Sequence, residues 1–206
     1  MRVLFVNPYI YDFSAYDLWL RPLGLYYLAA HVREHSDAEI YWLDALDRFQ
    51  DGMEICGRAD GRGKYPREFV EKPGIYQNVP RNYSRYGIPL ELFQSKMAAL
   101  PEMDVILVTS LMTYWLQGLQ FTLKLLKQRF SRAKVVLGGV LPSLAPTETR
   151  SLLPADHLLV DTVKQPYCAF WKIWGQRCRM LRPLLPILNP LCLPLTWPEP
   201  RNMSPC

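Results

Sequence analysis

Three short aliphatic runs set the possible architectures of this chain. They are Val3–Val6 (VLFV), Val105–Val108 (VILV) and Val135–Leu137 (VVL), followed by Asn7-Pro8, Thr109-Ser110 and Gly138-Gly139. Each is too short for a helix and has no polar face. A strand with that composition is buried on both sides, which is the condition inside a parallel sheet. Two more strands are expected, in AEIYWLDAL ending near Asp44 and in His157–Val160. Between the runs the period changes to that of a helix. Leu25, Leu28, Ala29 and Val32 share one face of LYYLAAHVREHS, and Leu119, Leu123, Leu126 and Phe130 share one face of Gly118–Phe130. A third helix is expected over Pro89–Leu100. Strands alternating with helices predict an α/β fold, a doubly wound Rossmann-like or flavodoxin-like parallel sheet of about five strands.

This pattern covers residues 1–160, expected to form one domain, with two departures. An aromatic-rich loop follows Pro8, and residues 51–89 hold Gly, Pro, Arg and Tyr without a period, reading as an irregular insertion with one or two helical turns. The basic residues there (Arg58, Arg62, Lys64, Arg67, Arg81, Arg85) read as those of a solvated loop. The second departure is residues 161–206, a Pro-rich tail. Nine of the eighteen prolines lie in residues 154–206, and LRPLLPILNPLCLPLTWPEP excludes a regular helix or central strand. VDTVKQPYCAFWKIWGQRCRM keeps the pattern of one amphipathic helix, and the residues beyond it read as a truncated or frameshifted remnant.

Composition narrows the function. The formal charge is +5, with basic residues scattered rather than clustered, so no nucleic acid is expected as partner. No apolar run is long enough to span a bilayer, and no membrane partner is expected. The N-terminal run is too short for a signal peptide, and five cysteines form no pairing pattern, so a reducing cytoplasm is the expected location. Neither GxGxxG nor GxxxxGK[ST] occurs, which argues against dinucleotide and nucleoside triphosphate cradles.

In a doubly wound sheet ligands bind beyond the carboxyl ends of the strands. Asn7 and Pro8 follow the first strand, Thr109, Ser110, Leu111, Met112 and Thr113 the third, and Gly138, Gly139 and Val140 the fourth. The hydroxyls suit either a helix cap or a hydrogen-bonding ledge. The two glycines suit either a tight turn or close approach to a ligand. The three strand ends are expected to line one crevice.

The segments VLFVNPYIYDF, LRPLGLYYLAAHVRE, DVILVTSLMTYW and AKVVLGGVLPSLAPTE resemble the cobalamin-binding N-terminal domain of cobalamin-dependent radical SAM proteins, truncated before the radical SAM barrel. The resemblance implies cobalamin as cofactor. Thr109-Ser110-Leu111 matches the family's Ser/Thr-x-Leu motif and Gly138-Gly139 its Gly-Gly, both of which contact the nucleotide tail. Asn7, Pro8, Leu23, Gly24, Met112, Thr113 and Val140 flank these segments and complete the expected cofactor-binding set. Related cobalamin domains carry Asp-x-His-x-x-Gly after the first strand. Here NPYIYDFSAYDLW has no histidine, so base-off cobalamin is expected without a histidine ligand. No catalytic residue and no protein-metal ligand are expected. The family's CxxxCxxC motif, which binds a [4Fe–4S] cluster and S-adenosylmethionine, is missing, so that chemistry requires a radical SAM catalytic domain supplied elsewhere.

Two other functions fit the pattern. One is a standalone cofactor carrier or interaction module of flavodoxin-like shape, serving a separately encoded catalytic partner. The other is a regulatory α/β domain. A receiver-type role needs an acidic cluster at the strand ends, and only Asp44 after the second strand offers one.

Overall fold

The computed structural model describes residues 1–18, 21–49 and 62–160. The elements, in chain order, are β1 (Arg2–Asn7), β2 (Ile10–Asp12), β3 (Tyr16–Asp17), α1 (Leu23–His35), β4 (Glu39–Asp44), β5 (Gly63–Lys64), β6 (Arg67–Phe69), β7 (Ser84–Tyr86), α2 (Leu90–Ala99), β8 (Val105–Ser110), α3 (Leu116–Arg129), β9 (Lys134–Gly139), α4 (Val140–Leu144), α5 (Pro146–Leu152) and β10 (His157–Leu158). Single 3-10 turns occupy Gly74–Tyr76 and Thr113–Trp115.

Five strands form the expected sheet in the order β10-β9-β8-β1-β4, and all of its pairings are parallel. Counted by their place in the sheet, this is the 2-1-3-4-5 order of flavodoxin-like folds, with its topological switch point between β1 and β8. The aliphatic runs do what their composition requires. Val3 and Phe5 point to one face, where Leu25, Leu28, Ala29 and Val32 of α1 pack with Val105, Leu107, Val136 and Leu159. Leu4 and Val6 point to the other, where Phe93 and Met97 of α2 and Leu119, Leu123 and Leu126 of α3 form the larger core. Alternate residues thus serve opposite faces, as the strand period demands.

Four expectations need correction. The aromatic loop after Pro8 contains β2 and β3, and the described part of the insertion, residues 62–89, contains β5, β6 and β7. They pair antiparallel with each other: β2-β7-β6 in one small sheet and β3-β5 in another. Strands of two or three residues show no period in sequence, and their partners lie far along the chain. Nor is Arg85 a solvated loop residue: it is buried over the rings of Tyr9 and Phe121, each 5.3 Å away, and pairs with Glu68. Gly138 and Gly139 end β9 rather than follow it, and LPSLAPTETRSLL, which has no clear period, contributes most of α4 and α5. The fifth strand stops at Leu158. Residues 50–61, Arg58 among them, and the tail 161–206 lie outside the described residues, as do all five cysteines.

His31, buried on α1, stacks on His35 with ring centroids 4.2 Å apart. Burial, then the neighbouring His35, holds its pKa below the ordinary histidine value. The unfolded chain therefore binds more protons as pH falls through about 6.5, and the fold loses stability there. The urea midpoint should fall between pH 7.5 and 5.5, and His31→Leu should shrink that fall.

Candidate functional site at the carboxyl edge of the sheet

The switch point between β1 and β8 is nearly filled. Tyr9 and Ile10 fold back across it, both buried, and Leu46 closes it from the β4 side. A chamber of only about 10 Å³ remains, lined by Asn7, Pro8, Ser110, Leu111 and Met112 among others. That is room for about one water molecule. Tyr9 is tied into this plug: its N–H donates to Thr122 Oγ1 at 3.2 Å and its hydroxyl to the Ile88 carbonyl at 2.9 Å. Burial drives its pKa far above the ordinary tyrosine value.

The small sheets seal the plug from above. Tyr83 Oη donates to the Tyr11 carbonyl, Tyr86 Oη to the Phe13 carbonyl, and Trp115 Nε1 to Asp12 Oδ2. Burial pushes the Tyr83 hydroxyl up to about 12. Arg48 Nε donates to Asp17 Oδ2 at 2.9 Å, and both side chains are buried.

The larger opening lies one strand over, on the α1 side. A cavity of about 270 Å³ is lined by Gly24, Leu25, Tyr27 and Leu28 of α1, Leu107, Val108 and Thr109 of β8, Gly138 and Gly139 of β9, and Leu159. Its walls are mostly apolar. Thr109 is nearly buried, and its hydroxyl makes no hydrogen bond to another described residue, so it can serve a ligand. The volume falls just below the range of about 300–1,000 Å³ that encloses drug-sized ligands, so it suits one planar ring system.

The two glycines have different reasons. At Gly139 φ is +99°, and a Cβ would stand 2.3 Å from the Ser110 carbonyl oxygen. Gly139 is demanded by the β8–β9 pairing itself. At Gly138 a Cβ would meet only Leu159, at an ordinary 3.6 Å. Nothing in the fold requires glycine there, and its α-carbon faces the cavity.

The strand ends therefore serve two sites, not one crevice. Gly24, Thr109, Gly138 and Gly139 share the cavity, whereas Asn7, Pro8, Ser110, Leu111 and Met112 share the plugged chamber. Leu23 is exposed at the start of α1, Thr113 opens a 3-10 turn, and Val140 begins α4; none of the three lines either space. Asn7 Nδ2 donates to Asp44 Oδ1 at 2.8 Å and so crosslinks β1 to β4. Burial raises the Asp44 pKa, opposed by hydrogen bonds from the Leu46 N–H and Asn7. The hydroxyls are not helix caps: neither the 3-10 turn nor α3 has a side-chain cap bond. Sequence reasoning missed Leu25, Tyr27, Leu28, Leu107 and Leu159, which look like core residues because most of them are.

Among the described residues no cluster of three or more His, Cys, Asp or Glu could hold a metal ion, and no helix is long and apolar enough to cross a membrane. His31 and His35 lie on the last turns of α1, and His157 opens β10 opposite Val136, two residues before Gly138 in register.

No family model matches the chain, and no curated protein matches it. One solved structure is similar, that of a cobalamin-binding protein from Desulfitobacterium hafniense DCB-2, at 13% identity and a TM-score of 0.41. The alignment covers 77% of this chain and 52% of that one, so the chain spans about half the length of that neighbour. The α/β assignment rests on the strand order and register above.

Proposed function

We propose that this chain is a cobalamin-binding module. In this reading the cavity between α1, β8 and β9 receives the nucleotide tail, and the corrin lies outside it at the carboxyl edge of the sheet. The observation that carries this reading is convergence. Gly24, Thr109, Gly138 and Gly139, on three separate elements, wall a single cavity of ring-system size. The aliphatic walls from Leu25, Leu28 and Leu107 would exclude water from a flat ring, and Thr109 would supply its hydrogen bond. The segment Pro8–Leu18 contains no histidine, so cobalamin would bind base-off with no protein imidazole on the cobalt. The cobalt supplies the chemistry, such as methyl transfer, and the protein supplies binding and orientation. The catalytic partner in this reading is a radical SAM barrel supplied elsewhere.

Gly138→Trp tests the site. The backbone accepts a side chain there, and an indole would occupy the cavity. The wild-type chain should retain hydroxocobalamin through gel filtration with a base-off visible spectrum. The folded Gly138→Trp chain should bind at least about a hundredfold more weakly, about 2.7 kcal/mol. Absence of retention by the wild type, or equal retention by the variant, would reject the assignment.

A further inference from the structure

The two faces of the main sheet are covered unequally. On one, α2 and α3 pack directly, and Leu141 of α4 and Leu153 beyond α5 join the same core. On the other, α1 is the single helix among the described residues whose apolar side chains join the core. An α-helix is about 10 Å wide with its side chains, whereas five strands spaced about 4.8 Å apart span about 20 Å. α1 sits toward the β4 side, where Tyr26 packs on Trp42 with centroids 4.9 Å apart. The half over β9 and β10 lies beyond its reach, and the 270 Å³ cavity opens along that gap. Yet Val136 and Leu159, which face this side, are 0% and 4% exposed. A parallel sheet needs cover on both faces.

We infer that residues 161–178 of this chain supply the cover, packing beside α1 over β9 and β10 and forming the outer wall of the cavity. The connection is direct. β10 runs parallel to β9 and ends at Leu158, so the chain passes Val160 at the carboxyl edge, beside the cavity. The sequence beyond Val160 has the side chains such a cover needs. Val163, Tyr167, Phe170 and Trp174 are spaced four, three and four residues apart, the interval of one helical face. Gln165, Lys172 and Gln176 fall opposite them. Pro166 comes early, where a first helical turn tolerates it. The inference does not depend on which ligand the cavity takes.

Hydrogen–deuterium exchange of the full chain without ligand tests it. Peptides within residues 166–176 should exchange at least about a hundredfold more slowly than an unstructured peptide. Phe170→Glu with Trp174→Glu should abolish that protection and speed exchange in β9, while β1 stays protected. Lys172→Glu, on the opposite face, should change neither. Unstructured-rate exchange of 166–176 in the wild type would overturn the assignment. So would protection that survives the double substitution.

Discussion

Gly139→Ala should cost the fold about 4 kcal/mol, enough to leave little native chain at modest urea concentration. Two causes add. The backbone at φ +99° and ψ −157° belongs to a region that only glycine occupies without strain, worth about 1–3 kcal/mol. The added methyl would also stand 2.3 Å from the Ser110 carbonyl oxygen and 2.7 Å from its nitrogen. Both are backbone atoms of a paired strand and cannot swing aside, since Ser110 and Gly139 are partners in the β8–β9 register. Gly138→Ala is the control. It meets only the Leu159 side chain at van der Waals distance and should change stability by less than about 1 kcal/mol. Urea melts of both variants check the contrast. Equal effects at the two positions would mean that the β8–β9 approach does not constrain Gly139.

Gly118→Ala should destabilise by about 3 kcal/mol, against the sign that helix propensity predicts. In a free helix, replacing glycine by alanine stabilises by about 1 kcal/mol. Here α3 passes so close to the chain after β1 that a Cβ at 118 would stand 2.0 Å from the Tyr9 carbonyl oxygen. The same contact is fastened by Thr122, whose hydroxyl donates to the Gly118 carbonyl and accepts from the Tyr9 N–H. Tyr9 cannot retreat easily, because its ring is buried against Phe93, 5.0 Å away, and its hydroxyl is held by the Ile88 carbonyl. The substitution should displace the switch-point plug, so near-ultraviolet circular dichroism should change with the urea midpoint. A midpoint that rises would show that propensity outweighs the contact.

The main sheet was readable in the residues because it is built from local signals. VLFV, VILV and VVL are buried on both faces, and their composition says so without reference to any partner. The face of α3 was readable for the same reason, through Leu119, Leu123 and Leu126. The small sheets were not. Tyr16 pairs with Lys64 and Ile10 with Tyr86, and a strand of three residues carries too few positions for alternation to show. At the site, Thr109, Gly138 and Gly139 announced themselves as polar or small residues at the ends of apolar strands. Their separation from Asn7 and Ser110 did not, because it depends on how Tyr9 and Ile10 fold back over the switch point. The two adjacent glycines look alike in sequence, and only the backbone approach to Ser110 tells the structural one from the cavity one.

The cap over the switch point also orders the assembly of the molecule in time. Tyr86 Oη reaches the Phe13 carbonyl across 73 positions of sequence, and Tyr83 Oη reaches Tyr11 across 72. Such closures lose chain entropy before any contact offsets it. β1 and β4, by contrast, are joined through a single helix. The central strands should therefore acquire protection first and the tyrosine-rich cap last. During that interval the chamber at the switch point stands open, and Tyr9, Tyr11 and Phe121 form an exposed aromatic surface that only the late pairing of β2 with β7 removes.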